Sequence, residues 1–305
     1  LADGSLDVNS LISHRFAFEQ AASAYQAISA GDALGVILNY PAEAKREATI
    51  TVTPRAASPS ADVVVAGVIG AGNFSKMTMM VALAKTSARL KWIADLDGAA
   101  AGHVARTHKV EQATSDYQQI LADDEVNAVF IAVGHNLHAR FICEGLSAGK
   151  HVFIEKPLAM NTEEVKQVLR AASSVPHRQV MVGFNRRFAP HVVKMKSLLE
   201  GRSEPLAMSM TVNAGIIPPN HWVHDPARGG GRIIGEGCHF IDLLAFLAGS
   251  KVRTVSAAMM GAGVAVHEDK MSMTLGFEDG SVGTVNYFAN GAKSYPKELL
   301  EIFSE

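Results

Sequence analysis

Three stretches of the chain carry side chains that can hold a dinucleotide or move a proton. The first is Gly70-Ala71-Gly72-Asn73-Phe74-Ser75, which follows the β-branched run Val63–Ile69 and opens a helical stretch. Gly70 permits a tight turn, and Gly72 lets the backbone approach a pyrophosphate seated on the helix N-terminus. Ser75 stands at the third glycine position and is small enough for close helix–strand packing. Asp95 follows 25 residues after Gly70 at the end of the next strand, where a carboxylate can take the ribose hydroxyls. No Arg or Lys follows in Leu96-Asp97-Gly98-Ala99 to neutralise a 2′-phosphate there, so NAD is expected over NADP. The second stretch is Gly149-Lys150-His151-Val152-Phe153-Ile154-Glu155-Lys156-Pro157, in which a charged pair ends an apolar strand. That end lies on the sheet edge where such folds bind ligands. The third is Gly229-Gly230-Gly231-Arg232-Ile233-Ile234-Gly235-Glu236-Gly237-Cys238-His239, with Asp242 beyond it. Glu236 and His239 are spaced i, i+3 and would share a helix face. In a first helical turn, His239 is held neutral by the helix dipole, the form a base needs.

Further candidates sit in loops. Val133-Gly134-His135-Asn136-Leu137-His138 leaves a strand on the ligand edge, so Val133, His135 and His138 are expected beside a cofactor. His138 is equally read as a helix cap. His221-Trp222-Val223-His224 lies among Pro218, Pro219 and Pro226. Trp222 and His224 suit stacking and hydrogen bonding on a sugar ring, with a simply packed loop as the alternative. Asn185, Arg186, Arg187 and Arg232 are candidates to reach a cofactor or an anionic part of a substrate.

These residues need a scaffold. The chain has 305 residues, 48% of them hydrophobic and 19% charged, which excludes disorder and implies two domains. A net charge of −2 gives no general attraction to nucleic acid or an anionic membrane. No apolar run reaches the roughly 20 residues that span a bilayer. Two cysteines support neither a disulfide framework nor a cysteine zinc site, and a cytoplasmic location is expected, with no metal. Strands are predicted at Val63–Ile69, Leu90–Ala94, Ala128–Val133, His151–Ile154 and Val180–Gly183. Helices are predicted between them, near Phe74–Lys85, Ala99–His108, Leu137–Ala148 and Thr162–Ala172. This alternation specifies a parallel α/β sheet covered on both faces. Beyond Arg187, period-two alternation at Leu206–Val212 and Met271–Phe277, and the Asp279-Gly280 turn into Val282–Phe288, specify antiparallel strands. One helix, Cys238–Leu247, interrupts them. The face carrying Ser272, Thr274 and Gly276 would either pair two subunits or lie under helices, and a homo-oligomer is expected.

The second stretch, taken with the glycine turn, resembles the Gfo/Idh/MocA oxidoreductases (glucose–fructose oxidoreductase, inositol dehydrogenase and MocA). Gly183-Phe184-Asn185-Arg186-Arg187-Phe188 is similar to another of their motifs. The resemblance runs from Val63 to the end of the chain. It implies a Rossmann domain followed by an α+β domain with an open, mainly antiparallel sheet. It places Lys156 beside nicotinamide and substrate as the catalytic residue, with Glu155 orienting it or the cofactor, and implies a cis bond at Pro157. His239 falls on the family histidine, whereas the aspartate usual four residues earlier is Gly235; Glu236 is the candidate to replace it. Gly134-His135 departs from the usual Thr-Pro. The implied activity is hydride transfer between nicotinamide and a secondary alcohol of a sugar, nucleotide-sugar or polyol, with Lys156 and His239 handling the hydroxyl proton. The altered position 235 leaves open an NAD-dependent glycosidase-type hydrolase, and a non-catalytic dinucleotide-binding module is the third reading. Separately, Leu6 to Leu38 resembles the C-terminal end of a zinc-type medium-chain alcohol dehydrogenase. The expected organisation is therefore 1–40 as a remnant of that enzyme, 41–61 as a linker extended near Ile50–Val52, 62–184 as the NAD-binding domain and 185–305 as the substrate domain. Leu1 and Glu305 read as cuts in a longer chain.

Overall fold

The computed structural model describes residues 7–41, 47–53, 63–261, 266 and 268–305. Expectations that rest on residues 1–6 or 54–62 therefore lie outside the described residues. The chain divides into two compact units, Leu1–Ala48 and Thr49–Glu305.

The first unit is small. Strands β1 (His14–Ala17) and β2 (Val36–Asn39) pair in parallel, with helix α1 (Ala21–Ala30) between them. The helix ends at Gly31, whose φ of +80° closes it in the left-handed conformation glycine tolerates. Asn9–Leu11 forms a 3-10 turn ahead of β1.

The second unit begins with β3 (Thr49–Thr51) and β4 (Val65–Ile69). A π-helical turn over Ser75–Met79 then runs into α2 (Met80–Leu83), followed by β5 (Arg89–Ala94), α3 (Gly98–His108), β6 (Gln112–Thr114) and α4 (Gln118–Ala122). Next come β7 (Ala128–Ile131), α5 (His138–Ser147), β8 (His151–Ile154), α6 (Thr162–Ser174) and β9 (Val180–Val182). The sheet order is β3-β6-β5-β4-β7-β8-β9, all parallel except the edge strand β3. Strand β4 is buried along its whole length, as the continuous run Val65–Ile69 requires when helices cover both faces. One core lies on each face of the sheet, one holding Ile131, Ile142 and Ile154 and the other Val68, Met80 and Ile93. Asp97 caps α3 by accepting from the Ala99 and Ala100 N–H groups. Within the span read as a linker, near the extension expected at Ile50–Val52, Thr49–Thr51 pairs with Gln112–Thr114 as an edge strand of the nucleotide-binding sheet.

Helix α7 (Pro190–Leu198) leads to β10 (Ala207–Asn213), α8 (Cys238–Ala248), β11 (Val252–Met259), β12 (Lys270–Phe277), β13 (Val282–Phe288) and β14 (Glu298–Phe303). The order β11-β12-β13-β10-β14 gives a mixed, mostly antiparallel sheet, because β10 runs parallel to β13. Met273, Leu275 and Phe277 pack with Phe240, Leu244 and Leu247 of α8 in its core. Thr274, between them in sequence, is exposed on the opposite face, with Ser272 and Gly276 half-buried. Among the described residues no helix buries that face.

Candidate active site

The glycine turn has the form a dinucleotide needs. Gly70 has φ +106°, and a Cβ there would lie 2.2 Å from the Ala132 carbonyl oxygen, so only glycine fits between β4 and β7. A Cβ on Gly72 would meet nothing within 4 Å. Gly72, Asn73 and Phe74 are exposed at the start of the helix, whose first N–H groups lack intrahelical acceptors. Ser75 is fully buried and donates its hydroxyl to the Gly70 carbonyl at 2.6 Å, locking turn to helix. Asp95 is half-buried; one carboxylate oxygen accepts from the Ala71 N–H at 2.7 Å and the other from the Asp97 N–H at 2.9 Å. The carboxylate is thus fixed beside the turn at the end of β5. These features fit a pyrophosphate over Gly72 and a ribose near Asp95.

Beyond β8 the chain turns at a cis Lys156–Pro157 bond. Lys156 crosses to the second domain and donates from Nζ to the Gly235 carbonyl at 2.8 Å. Glu155 lies under Gly183, and burial pushes its carboxyl above the usual range. His135, 8% exposed, points its Nδ1 at the Gly229 carbonyl at 2.9 Å and sets its ring edge against Trp222, centroids 5.1 Å apart. Val133 is half-buried on the same loop.

His239 opens α8 and is 6% exposed. Burial first, then the charges of Arg186 and Lys156, push its imidazole down to about 3, so it is neutral. Its Nδ1 is buried without a hydrogen-bond partner. Cys238 beside it is pushed up to about 11 by burial and is no thiolate. The ring of Phe184 meets His239 edge-on at 6.0 Å.

Several expected ligands are already engaged. Glu236 does not orient His239. Its carboxylate accepts from Tyr287 Oη at 2.5 Å and from Arg232 at 2.9 Å, with Lys297 at 3.5 Å. Ile233–Gly237 forms a π-helical turn, so the i, i+3 spacing no longer stacks residues 236 and 239 as an α-helix would. Burial works to raise the Glu236 carboxyl, but Tyr287 and Arg232 outweigh it and hold it low. Arg232 is 2% exposed and also donates to the Ala214 and Gly215 carbonyls, so it is a structural cation and not a substrate contact. Arg186 pairs with Glu298 and lies over the Phe240 ring; Arg187 pairs with Asp242 and lies over Phe246. His138 is sealed at 0% exposure, its two ring nitrogens 2.6 and 3.1 Å from the Pro157 and Val133 carbonyl oxygens. It cannot touch a cofactor and instead ties the loop after β7 to the cis turn. Asn185 and Trp222 are exposed near these residues, whereas both His224 ring nitrogens are buried without partners. Tyr287, Lys297 and the Gly235 carbonyl were not expected; no motif marks them.

A Rossmann sheet with a phosphate-ready turn, a lysine at its ligand edge and a histidine from an α+β domain define a two-domain, dinucleotide-dependent oxidoreductase. Comparison with known proteins gives the family. Residues 64–184 match the oxidoreductase family with an NAD-binding Rossmann fold, Gfo/Idh/MocA, and residues 202–305 match a C-terminal domain of the same family. An uncharacterized oxidoreductase, YrbE, of Bacillus subtilis is 30% identical over 79% of this chain and 71% of its own length. Inositol 2-dehydrogenase of Rhizobium meliloti is 33% identical over 63% of this chain and 57% of its own. A levoglucosan dehydrogenase solved with NADH and levoglucosan superposes with a TM-score of 0.69 at 26% identity, over 79% of this chain and 71% of that one. The chain belongs to the Gfo/Idh/MocA oxidoreductases.

Proposed function

We propose that the protein is an NAD-dependent dehydrogenase of a cyclic polyol or sugar, oxidising a secondary CH–OH group. The observation that carries this is Lys156, held across the cleft on the Gly235 carbonyl beside neutral His239. Bound nicotinamide supplies the hydride acceptor. Gly70, Gly72, Asn73, Phe74 and Asp95 hold its dinucleotide, and Val133 and Glu155 flank it. Lys156 keeps two N–H bonds free of Gly235 for a substrate oxygen, and His239 receives the hydroxyl proton as hydride leaves. Trp222 offers an exposed ring face to the sugar, with Asn185 nearby. Inositol dehydrogenases and a levoglucosan dehydrogenase among the relatives support this substrate class. The test is Lys156→Met in the intact protein, with myo-inositol and levoglucosan among the probes. Turnover should fall roughly 10²–10⁴-fold while NADH binding persists. Unchanged turnover would overturn the reading.

Three finer readings follow. NAD is preferred, because a 2′-phosphate about 4 Å from the Asp95 carboxylate is repelled by roughly 1–4 kcal/mol; tighter binding of NADPH than of NADH would refute it. The protein is a cytoplasmic homo-oligomer that pairs through the uncovered face bearing Thr274, which light scattering tests; a monomer at micromolar concentration rules it out. Finally, residues 1–40 are the closing strand–helix–strand of a zinc-type alcohol dehydrogenase, a reading supported by the parallel β1–β2 pair with α1 between. Reading the gene upstream of Leu1 decides: the remainder of such an enzyme is expected, and an unrelated sequence removes the idea.

A further inference from the structure

Two positions where the sequence departs from the pattern it resembles meet in space: residue 235 is glycine, and residue 135 carries an imidazole. A Cβ built on Gly235 would lie 2.9 Å from His135 Cε1 and 3.5 Å from its Nδ1. Real Cβ atoms do not approach ring atoms that closely, and this ring is not free to retreat: it is buried, held through Nδ1 on the Gly229 carbonyl, and walled by Trp222. The imidazole therefore occupies the volume into which a residue 235 side chain would project. The Gly229 carbonyl accepts, so Nδ1 carries the proton, and burial keeps the ring neutral. Gly229 is itself fixed, since any Cβ there would strike the Val223 and Trp222 backbone within 2.6 Å. His135, from the nucleotide-binding domain, thus grips one end of the Gly229–Gly235 segment of the second domain. Lys156, from the same domain, grips the other end at the Gly235 carbonyl.

We propose that His135 is a positioning residue: it substitutes in space for a side chain at 235 and fixes the Gly229–Gly235 backbone so that the Gly235 carbonyl meets the Lys156 ammonium. The positioning role rests on the dehydrogenase reading; the spatial substitution does not.

A melting cycle on the intact chain tests the space. Gly235→Ala should lower Tm by about 4 °C or more in the native background and by about 1 °C or less in His135→Ala. Equal losses in both backgrounds would overturn the substitution. Kinetics test the positioning. His135→Ala should lower kcat at least about tenfold with the KM for NAD changed less than about twofold. His135→Leu, which fills the space without a donor, should stay low. His135→Asn, whose amide can still donate to Gly229, should recover to within about threefold of native. Leu and Asn behaving alike would reduce His135 to a spacer and refute the proposal. If the native protein oxidises no sugar or polyol offered, the dehydrogenase reading fails by itself. The rate at which Lys156 reacts with an amine-selective reagent, read by mass spectrometry, then decides: it should rise in His135→Ala and not in His135→Asn, and an unchanged rate refutes the proposal.

Discussion

The positions of Lys156 and His239 in the fold were legible because each ends a motif whose backbone role is local: a strand end at the ligand edge, and a helix start. The arginines were not. A run such as Asn185-Arg186-Arg187 announces positive charge but not its partner, and here the partners stand 112 and 55 positions away, at Glu298 and Asp242. Arg232 likewise spends its guanidinium on Glu236 and two carbonyls. A charge seen in sequence is a ligand candidate only until an acid finds it in the fold. The protonation state of His239 leads to a kinetic expectation at the same scale. The imidazole proposed as the base, pushed down to about 3, stays neutral between pH 7 and pH 5. The log of kcat/KM should therefore show no acid limb belonging to His239 in that range. A limb near pH 6.5 that disappears in His239→Asn would show that the imidazole is charged far more readily than its burial allows. Arg187→Ala, by contrast, should damage stability before catalysis, because it leaves Asp242, 8% exposed, without its partner.

At the scale of elements, the strand–turn–helix around Gly70 makes its two glycines separable. Gly70→Ala forces a Cβ onto the Ala132 carbonyl at a positive φ, so both backbone strain and overlap act. A loss of at least about 2 kcal/mol in denaturant unfolding is expected. Gly72→Ala points its methyl into open space. Its stability should change by less than about 0.5 kcal/mol, while NADH binding, followed by fluorescence, weakens by about tenfold or more. Equal effects at the two positions would mean that Gly72 does not face the cofactor. Elements with a strong internal period were readable. Those defined by their neighbours were not: β6 has a single apolar residue, Ala113, and exists because β5 pairs with it. Strand β3 is drawn in by β6 in turn. Alternation showed which faces β10 and β12 bury but could not show that β10 runs parallel to β13, since facing and pairing are set by different atoms.

At the scale of the whole molecule, buried imidazoles at the cleft between the nucleotide-binding and substrate domains couple folding to pH. His135, His138 and His239 are each pushed below 6.5, by burial first; at His138 the Pro157 and Val133 carbonyls, only one of which a neutral ring can donate to, pull the other way without reversing this. The unfolded chain takes up protons on these imidazoles near pH 6.5, whereas the folded chain does not until lower pH. Between the two values the unfolded state binds more protons, so stability rises with pH. The contribution is complete above about pH 6.5 and is lost as pH falls toward the folded values, reaching about 3 for His239. Below about pH 4.5 the carboxylates held low, Glu236 and Asp123 among them, add losses of the same sign. Glu155 works the other way, since its raised carboxyl gains a proton more easily in the fold. Each imidazole that stays neutral contributes a slope of at most about 1.4 kcal/mol per pH unit. Stepping from pH 7 to pH 5.5 should therefore lower the midpoint of urea unfolding with little change in m. In His239→Asn that dependence should be measurably shallower, since Asn carries no titrating ring into either state. A midpoint that stays constant from pH 7 to pH 5.5 would mean that these rings reach water, and that the cleft is open where the fold closes it.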